Sequence, residues 1–596
     1  MTREYIHLLP DSFMPYSIAP MAGKRVYWDS MAKKPIARLI LHHASELMGQ
    51  RIPDLSASLY LSFNRTGNRS EYESHYFTRR RMLGTLTLAY CLAPNEAALF
   101  QVIDLLWAIA EESSWCLPAH NSYIRDSEQL PLPMAENPII DLFSAETAAT
   151  LALVCALLKH DLDQVTPIIS QRIEKELDKR IITPYLTRHF WWMGDGDEPM
   201  NNWTAWCTQN ILLTAFLTPL DDGIRKQITN KALVSLDCFL KDYGQDGCCS
   251  EGAQYYRHAA LCLYLSLAIL NTVTDSLFSA LYKEPKIRNM ASFIRHIHAQ
   301  GPYYFNFADC SALSGPCTIR EYLFARDCND EKLASFALAS AASREEEERD
   351  LPQEINLAYR LLELIGSDEH TSSMQSLETQ EDHYYPSVGI WISRDSHMAL
   401  GVKAGGNDDS HNHNDSGSIT LYKDGHPVLI DVGVETYTKQ TFSKDRYSIW
   451  TMRSCFHNVT NFPPYEQQSG KKYHALLREK TAKSISLELT PCYPDAAGVV
   501  SYVRTVIHEK EQGISILEQV KGSVAPVLTL MCAIQPKIEG QTIHFGNKAM
   551  MQCSAENLKI TLEPITVEDE RLRAVWPKII YRLLLHYTNE LKLYIE

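Results

Sequence analysis

His411 and His413 stand two residues apart in the run 405–457, GGNDDSHNHNDSGSITLYKDGHPVLIDVGVETYTKQTFSKDRYSIWTMRSCFH. Imidazole nitrogens ligate transition metals and exchange protons near neutral pH, so the pair suits either task. SGSITLYKDGHPVLIDVG reads as two strands joined at Lys423-Asp424-Gly425, where Asp-Gly is a hairpin signal. The second strand delivers Asp431, and a later strand or loop delivers His457. Two His and one Asp from neighbouring strands suit a three-ligand zinc site, which leaves one histidine of the pair for proton chemistry. Within a strand, residues two apart share a face, so His411 and His413 are expected to project together. Taken singly, Asp431 reads equally well as a turn residue closing its strand.

The segments HNHNDSGSITLYKDGHPVLIDVGVETYT and RYSIWTMRSCFHNVTNF together resemble the C-terminal domain of the heparinase II/III-like polysaccharide lyases. That resemblance implies that His413, Asp431 and His457 hold one zinc per chain, largely in a structural role, and that His411 is catalytic. It extends to two stretches of the preceding half. In DGDEPMNNWTAWCTQN, Asn202 matches the family asparagine that hydrogen-bonds the uronate carboxylate. Some relatives follow that asparagine with His; here Trp203 stands there, which removes one candidate base. In DYGQDGCCSEGAQYYRHAALCLYL, Glu251-Gly252 precedes a tyrosine that the family uses as acid and base. Tyr255 fits the commonest spacing, and Tyr256 fits other branches.

The residue types suit β-elimination from a uronate. A base removes the C5 proton beside the carboxylate, and the C4–O bond breaks. Charge then spreads onto the carboxylate, which needs a neutralising donor. Asn202 fills that role, with Arg446 as an electrostatic partner. Tyr255 and His411 are the candidate proton carriers. Trp203, Glu251, Tyr256 and Arg446 are expected to contact the glycan. Simpler readings stand beside these: Asn201 as a helix cap, Asp141 and Glu146 as braces between helices, and most tyrosines as core. A glycoside hydrolase using a carboxylate pair from Glu251, Asp195 and Asp197 is the rival enzyme. A non-catalytic carbohydrate-binding protein is the third reading.

Between Lys34 and Ile365, apolar residues recur at three and four, as in ETAATLALVCALLKH, with breaks at Pro and Gly. Serial helices of this kind suggest a solenoid or toroid, and the resemblance sharpens this to an incomplete (α/α) toroid. SDEHTSSMQSLETQED is polar and acidic, a linker signal. From Tyr384 the period is two: SVGIWISRD, HMALGVKAG, SISLELT, GVVSYVRTVIHEK, GISILEQV and VLTLMCAI read as antiparallel strands of a β-sandwich. The expected division is 1–366 helical, 367–383 linker and 384–596 β-sheet.

A formal net charge of -15 disfavours nucleic acid as a partner. The expected partner is an anionic uronate oligo- or polysaccharide, and a homo-oligomer is compatible with the sequence. The N-terminal MTREYIHLLP lacks a signal-peptide pattern, and no long uninterrupted apolar run stands out as a membrane span. The 15 cysteines are scattered and odd in number, as in reduced thiols. A cytoplasmic location is the expectation.

Overall fold

The computed structural model describes residues 1–125, 127–195, 197–371, 381–408 and 411–596. The chain divides into two units. The first comprises Met1–Tyr243, Arg257–Ala291 and Pro316–Ser376; the second comprises Gly244–Tyr256, Ser292–Gly315 and Leu377–Glu596. The expected linker 367–383 begins inside the helix Leu357–Thr371, and its residues 372–380 lie outside the described residues.

The first unit is helical, and its helices start where short polar side chains satisfy free backbone N–H groups. Asn95 accepts from Ala98, Asp141 from Ser144 and Asp221 from Ile224. Helices buried on nearly all sides alternate with helices buried on one face. Of the 16 residues in Asn202–Leu217, all but Trp203 and Leu217 are buried. It packs against Leu142–Val165 before it and Asp222–Asp242 after it, the latter buried on one side only. Such an inner and outer alternation is an incomplete (α/α) toroid. Leu142–Val165 is long and apolar enough to cross a membrane by length and composition, but it lies mostly inside the unit.

The second unit holds antiparallel sheets. The first sheet runs in sequence order through β1 (His383–Tyr385), β2 (Ile390–Arg394), β3 (Met398–Lys403), β4 (Ile419–Lys423) and β5 (His426–Leu429). The period-two segments fall on β2, β3, β4 and β5 and on later strands such as Ser484–Glu488, Val499–Glu509, Gly513–Gly522 and Val527–Cys532. These later strands belong to an eight-stranded and a four-stranded sheet. One apolar core joins all three sheets through Leu400 and Leu421, Val506 and Ile516, and Leu528 and Leu583. Asp424 and Gly425 both take positive φ, 48° and 75°, as the two-residue β4–β5 hairpin requires.

A buried ion pair braces this unit. Arg504 donates from Nε to Glu518 at 2.7 Å, and both side chains are almost fully excluded from solvent. Its Nη1 also donates to the carbonyls of Gly417 and Asn458. Arg504→Leu would leave Glu518 charged and unpaired, so we expect a loss of about 3–5 kcal/mol, with the double variant Arg504→Leu/Glu518→Leu recovering most of it. Urea unfolding midpoints at constant m-value are the check.

Candidate active site and metal centre

The site begins at Gly252, whose φ is +86°. A Cβ there would lie 2.8 Å from the Cys310 Cβ and 3.2 Å from the Phe307 carbonyl. Glycine alone permits the close approach of Glu251 and the following helix, Ala253–Val273, to the loop around Asp309. Successive helical residues diverge by about 100°, and Tyr255 and Tyr256 do so. Tyr256 has no exposed surface and packs near Phe293, so the expected glycan contact at Tyr256 is corrected to a core position. Tyr255 turns the other way. Its ring stacks on His411 at 4.7 Å, and its hydroxyl lies 2.6 Å from that of Tyr437.

Asp309 occupies the middle of the site and is fully buried. One oxygen accepts from His411 Nδ1 at 2.8 Å and from the Tyr437 hydroxyl at 3.3 Å. The other accepts from His413 Nε2 at 2.9 Å and Arg446 Nη2 at 2.6 Å. Burial pushes the Asp309 carboxyl up, but the hydrogen bonds from His411 and His413 outweigh it and hold the group well below the carboxylate range. Ala308 and His411 both adopt left-handed backbone, with φ of 66° and 57°. This corrects the strand expectation for H-x-H. Residues 411–418 form a loop ahead of β4, and a shared acceptor, rather than a shared strand face, brings the two rings together.

His411 Nε2 lies 3.3 Å from Glu251 Oε2. Burial lowers the proton affinity of His411, but Asp309 and Glu251 raise it further, and the net shift is upward. Arg446 also donates to the carbonyls of Asn412 and Thr441. Its guanidinium therefore braces the loop, which corrects the expectation that it meets a glycan carboxylate.

His413, Asp431 and His457 are buried, and one ligand atom from each lies within 4.8 Å of the other two. Asp431 follows β5 and His457 follows a short 3-10 turn, Ser454–Phe456. The side chain of Asn458 fixes that approach, donating to Ile419 and Ile430 and accepting from Met531. His457 Nδ1 lies 3.1 Å from Asp431 Oδ2. Burial of His413 outweighs Asp309 and keeps its pKa below the ordinary histidine value, favouring the neutral, ligating form. Its Nδ1 is buried and has no hydrogen-bond partner among the described residues. A neutral imidazole with an idle buried nitrogen beside an Asp and a second His fits a transition metal such as zinc.

Residues 378–570 match the family described as Heparinase II/III-like, C-terminal. These residues therefore form a heparinase II/III-like C-terminal domain. Known structures with the same fold include a heparinase III gene product, 13% identical, at TM-score 0.59 over 93% of this chain and 83% of that one. Another is a mutant of the heparan sulfate lyase HepC from Pedobacter heparinus, 14% identical, at TM-score 0.57 over 100% and 87%. A third is the chondroitin AC lyase of Streptomyces coelicolor A3 in complex with chondroitin sulphate, 9% identical, at 0.51 over 95% and 82%. No curated protein matches the chain by sequence.

The remaining expected residues lie in the helical unit. Asn201 caps Asn202–Leu217 by accepting from Trp203 N at 3.1 Å, and Asn202 is the first helical residue, buried at 3% exposure. Trp203 meets the rings of His120 and Trp191 at 4.7 and 5.0 Å. Trp206 stacks on His258 at 3.8 Å. Glu146 accepts from the Asn356 amide, and burial raises its carboxyl to about 8. In the second unit, Asp309 and Tyr437 are the residues that sequence reasoning missed. The segment GPYYFNFADCSALSGP around Asp309 opens and closes with Gly-Pro, a loop signal inside what reads as helical sequence.

Proposed function

We propose that this protein is a lyase that cleaves uronic-acid-containing glycans of the glycosaminoglycan class by β-elimination, leaving a 4,5-unsaturated uronate. The observation that carries the reading is the stack of the Tyr255 phenol on the His411 imidazole, with His411 held between Asp309 and Glu251. The heparinase, heparan sulfate lyase and chondroitin lyase folds support it.

In this reading His411 takes the C5 proton. The two carboxylates that raise its proton affinity also stabilise the imidazolium that forms. Burial, Tyr437, Glu251 and Asp309 all hold the Tyr255 phenol well above its usual pKa, so it stays protonated and serves as the acid for the departing glycosidic oxygen. Asn202 is the donor to the uronate carboxylate, where a neutral amide lowers the cost of the developing enolate-like charge. Zinc held by His413, Asp431 and His457 would supply a rigid anchor for the loop that carries His411. The hydrolase reading has less support. Backbone N–H groups of Asp197 and Glu198 hold Asp195 below the usual carboxylate range, the opposite of what a general acid needs.

The product decides the reaction class. Incubation with glycosaminoglycan and other uronate oligosaccharides should generate ultraviolet absorbance from the new C4–C5 double bond; a new reducing end without absorbance would mean hydrolysis. Tyr255→Phe keeps the ring and should lower turnover by about 10²–10⁴-fold. Tyr256→Phe should retain turnover, and the reverse pattern would reassign the acid.

Neutral His411 is the working base, and its pKa is raised from 6.5. Activity is therefore lost as pH falls through that raised value, and the acidic limb of kcat/KM should lie above 6.5. Glu251→Gln removes one of the raising charges and should move that limb to lower pH. An unmoved limb would show that His411 is not the base.

Elemental analysis of protein purified without chelator should find about one zinc per chain. His457→Ala should lose the metal and lower the thermal midpoint, because metal binding is coupled to folding. Full activity and stability in metal-free protein would remove the zinc assignment.

A further inference from the structure

We infer that Asp309 is a positioning residue that fixes the tautomers of both histidines in the H-x-H pair, and so links the metal centre to the catalytic base. The catalytic half of this inference rests on the lyase reading, whereas the metal half does not.

An ionised carboxylate only accepts hydrogen bonds. Asp309 Oδ2 faces His411 Nδ1 at 2.8 Å, and Oδ1 faces His413 Nε2 at 2.9 Å. The proton of each ring must then sit on the nitrogen that faces Asp309. Those nitrogens are different: Nδ1 in His411 and Nε2 in His413. The lone pairs left over are therefore also different. His411 Nε2 faces Glu251 Oε2 at 3.3 Å, a longer contact than that to Asp309, so the neutral ring holds its proton on Nδ1, and Nε2 takes the substrate proton and then donates it to Glu251 as a hydrogen bond. His413 keeps Nδ1, the buried nitrogen without a hydrogen-bond partner among the described residues, for the cluster with Asp431 and His457. A second histidine tautomer at either position would turn a lone pair toward Asp309 and a proton toward the wrong target. One carboxylate thus assigns both roles, and Arg446 adds a charge-assisted hydrogen bond to Oδ1 at 2.6 Å that fixes the carboxylate in place.

The arrangement also separates the two roles by oxygen. Arg446 and His413 share Oδ1, whereas His411 and Tyr437 share Oδ2. In Asp309→Asn the amide oxygen must stay at the Oδ1 position, because Arg446 has only hydrogens to offer. The amide NH₂ then occupies the Oδ2 position and donates to His411 Nδ1, driving the His411 proton to Nε2, where it blocks the base.

The test compares Asp309→Asn with Asp309→Ala. For Asp309→Asn we expect zinc content near wild type, KM little changed and kcat lowered by about 10³–10⁴-fold, as expected when a catalytic histidine is forced into the wrong tautomer. ¹⁵N NMR of histidine-labelled protein should show the His411 proton on Nδ1 in wild type and on Nε2 in this variant. For Asp309→Ala we expect zinc affinity, measured by competition with a chelator, to fall by about 10–100-fold in addition. Near wild-type kcat in Asp309→Asn, an unchanged His411 tautomer, or unchanged zinc affinity in Asp309→Ala would each overturn the inference. If wild type cleaves no uronate glycan, the lyase reading fails, and the tautomer and zinc measurements still decide the role of Asp309.

Discussion

A buried carboxylate is costly unless hydrogen bonds and opposite charge replace the water it loses. At Asp309 four side chains do so: His411, His413, Tyr437 and Arg446. Each of those donors has a second engagement. Tyr437 holds the hydroxyl of Tyr255, His411 reaches Glu251, His413 reaches the Asp431–His457 pair, and Arg446 ties down the backbone at Asn412 and Thr441. The placement of Tyr255, His411 and the cluster of His413, Asp431 and His457 therefore follows from one ion. The backbone accommodates it at some cost. Left-handed conformations at Ala308 and His411 are each unfavourable by roughly 1–2 kcal/mol for residues with a Cβ. Charge-assisted hydrogen bonds to a fully buried acceptor offset strain of that size.

Behind this ion the β-sheet unit supplies stiffness. Asn458 clamps the ends of β4 and β5 to the strand Val527–Cys532, and Arg504 holds the carbonyl of the same Asn458. His457 is thus placed by the residue after it. Asp431 follows the end of a two-residue hairpin whose central residues both take positive φ. Rigid placement of this kind is what a site on loops requires.

Much of this was legible in the sequence, for local reasons. Period-two runs and an Asp-Gly turn encode strands and hairpin directly, and helical periodicity with Asn and Asp caps encodes the first unit. The ordered H-x-H, Asp and His set pointed to a three-residue cluster, and the family resemblance assigned it to 413, 431 and 457. What sequence could not supply was pairing over long separations. Asp309 lies 102 residues before His411, and nothing in its neighbourhood marks it beyond the Gly-Pro punctuation. The H-x-H pair misled for the same reason: spacing two implies a strand only when backbone hydrogen bonds form one, and a distant acceptor replaced them. Arg446 read as free to bind substrate because the carbonyls that absorb its donors are invisible until the loop closes.

The second unit is discontinuous in the chain, drawing Gly244–Tyr256 and Ser292–Gly315 from within the helical stretch. Heredity and architecture therefore cut the molecule at different places. A recombination event at the junction before Tyr384 would transmit the histidines and leave behind Glu251, Tyr255 and Asp309. The reactive group is divided across that seam, so neither fragment inherits a working half. A β-sheet region moved as a cassette would rebuild the hydrogen bonds around Asp309 only where the receiving chain supplies matching residues.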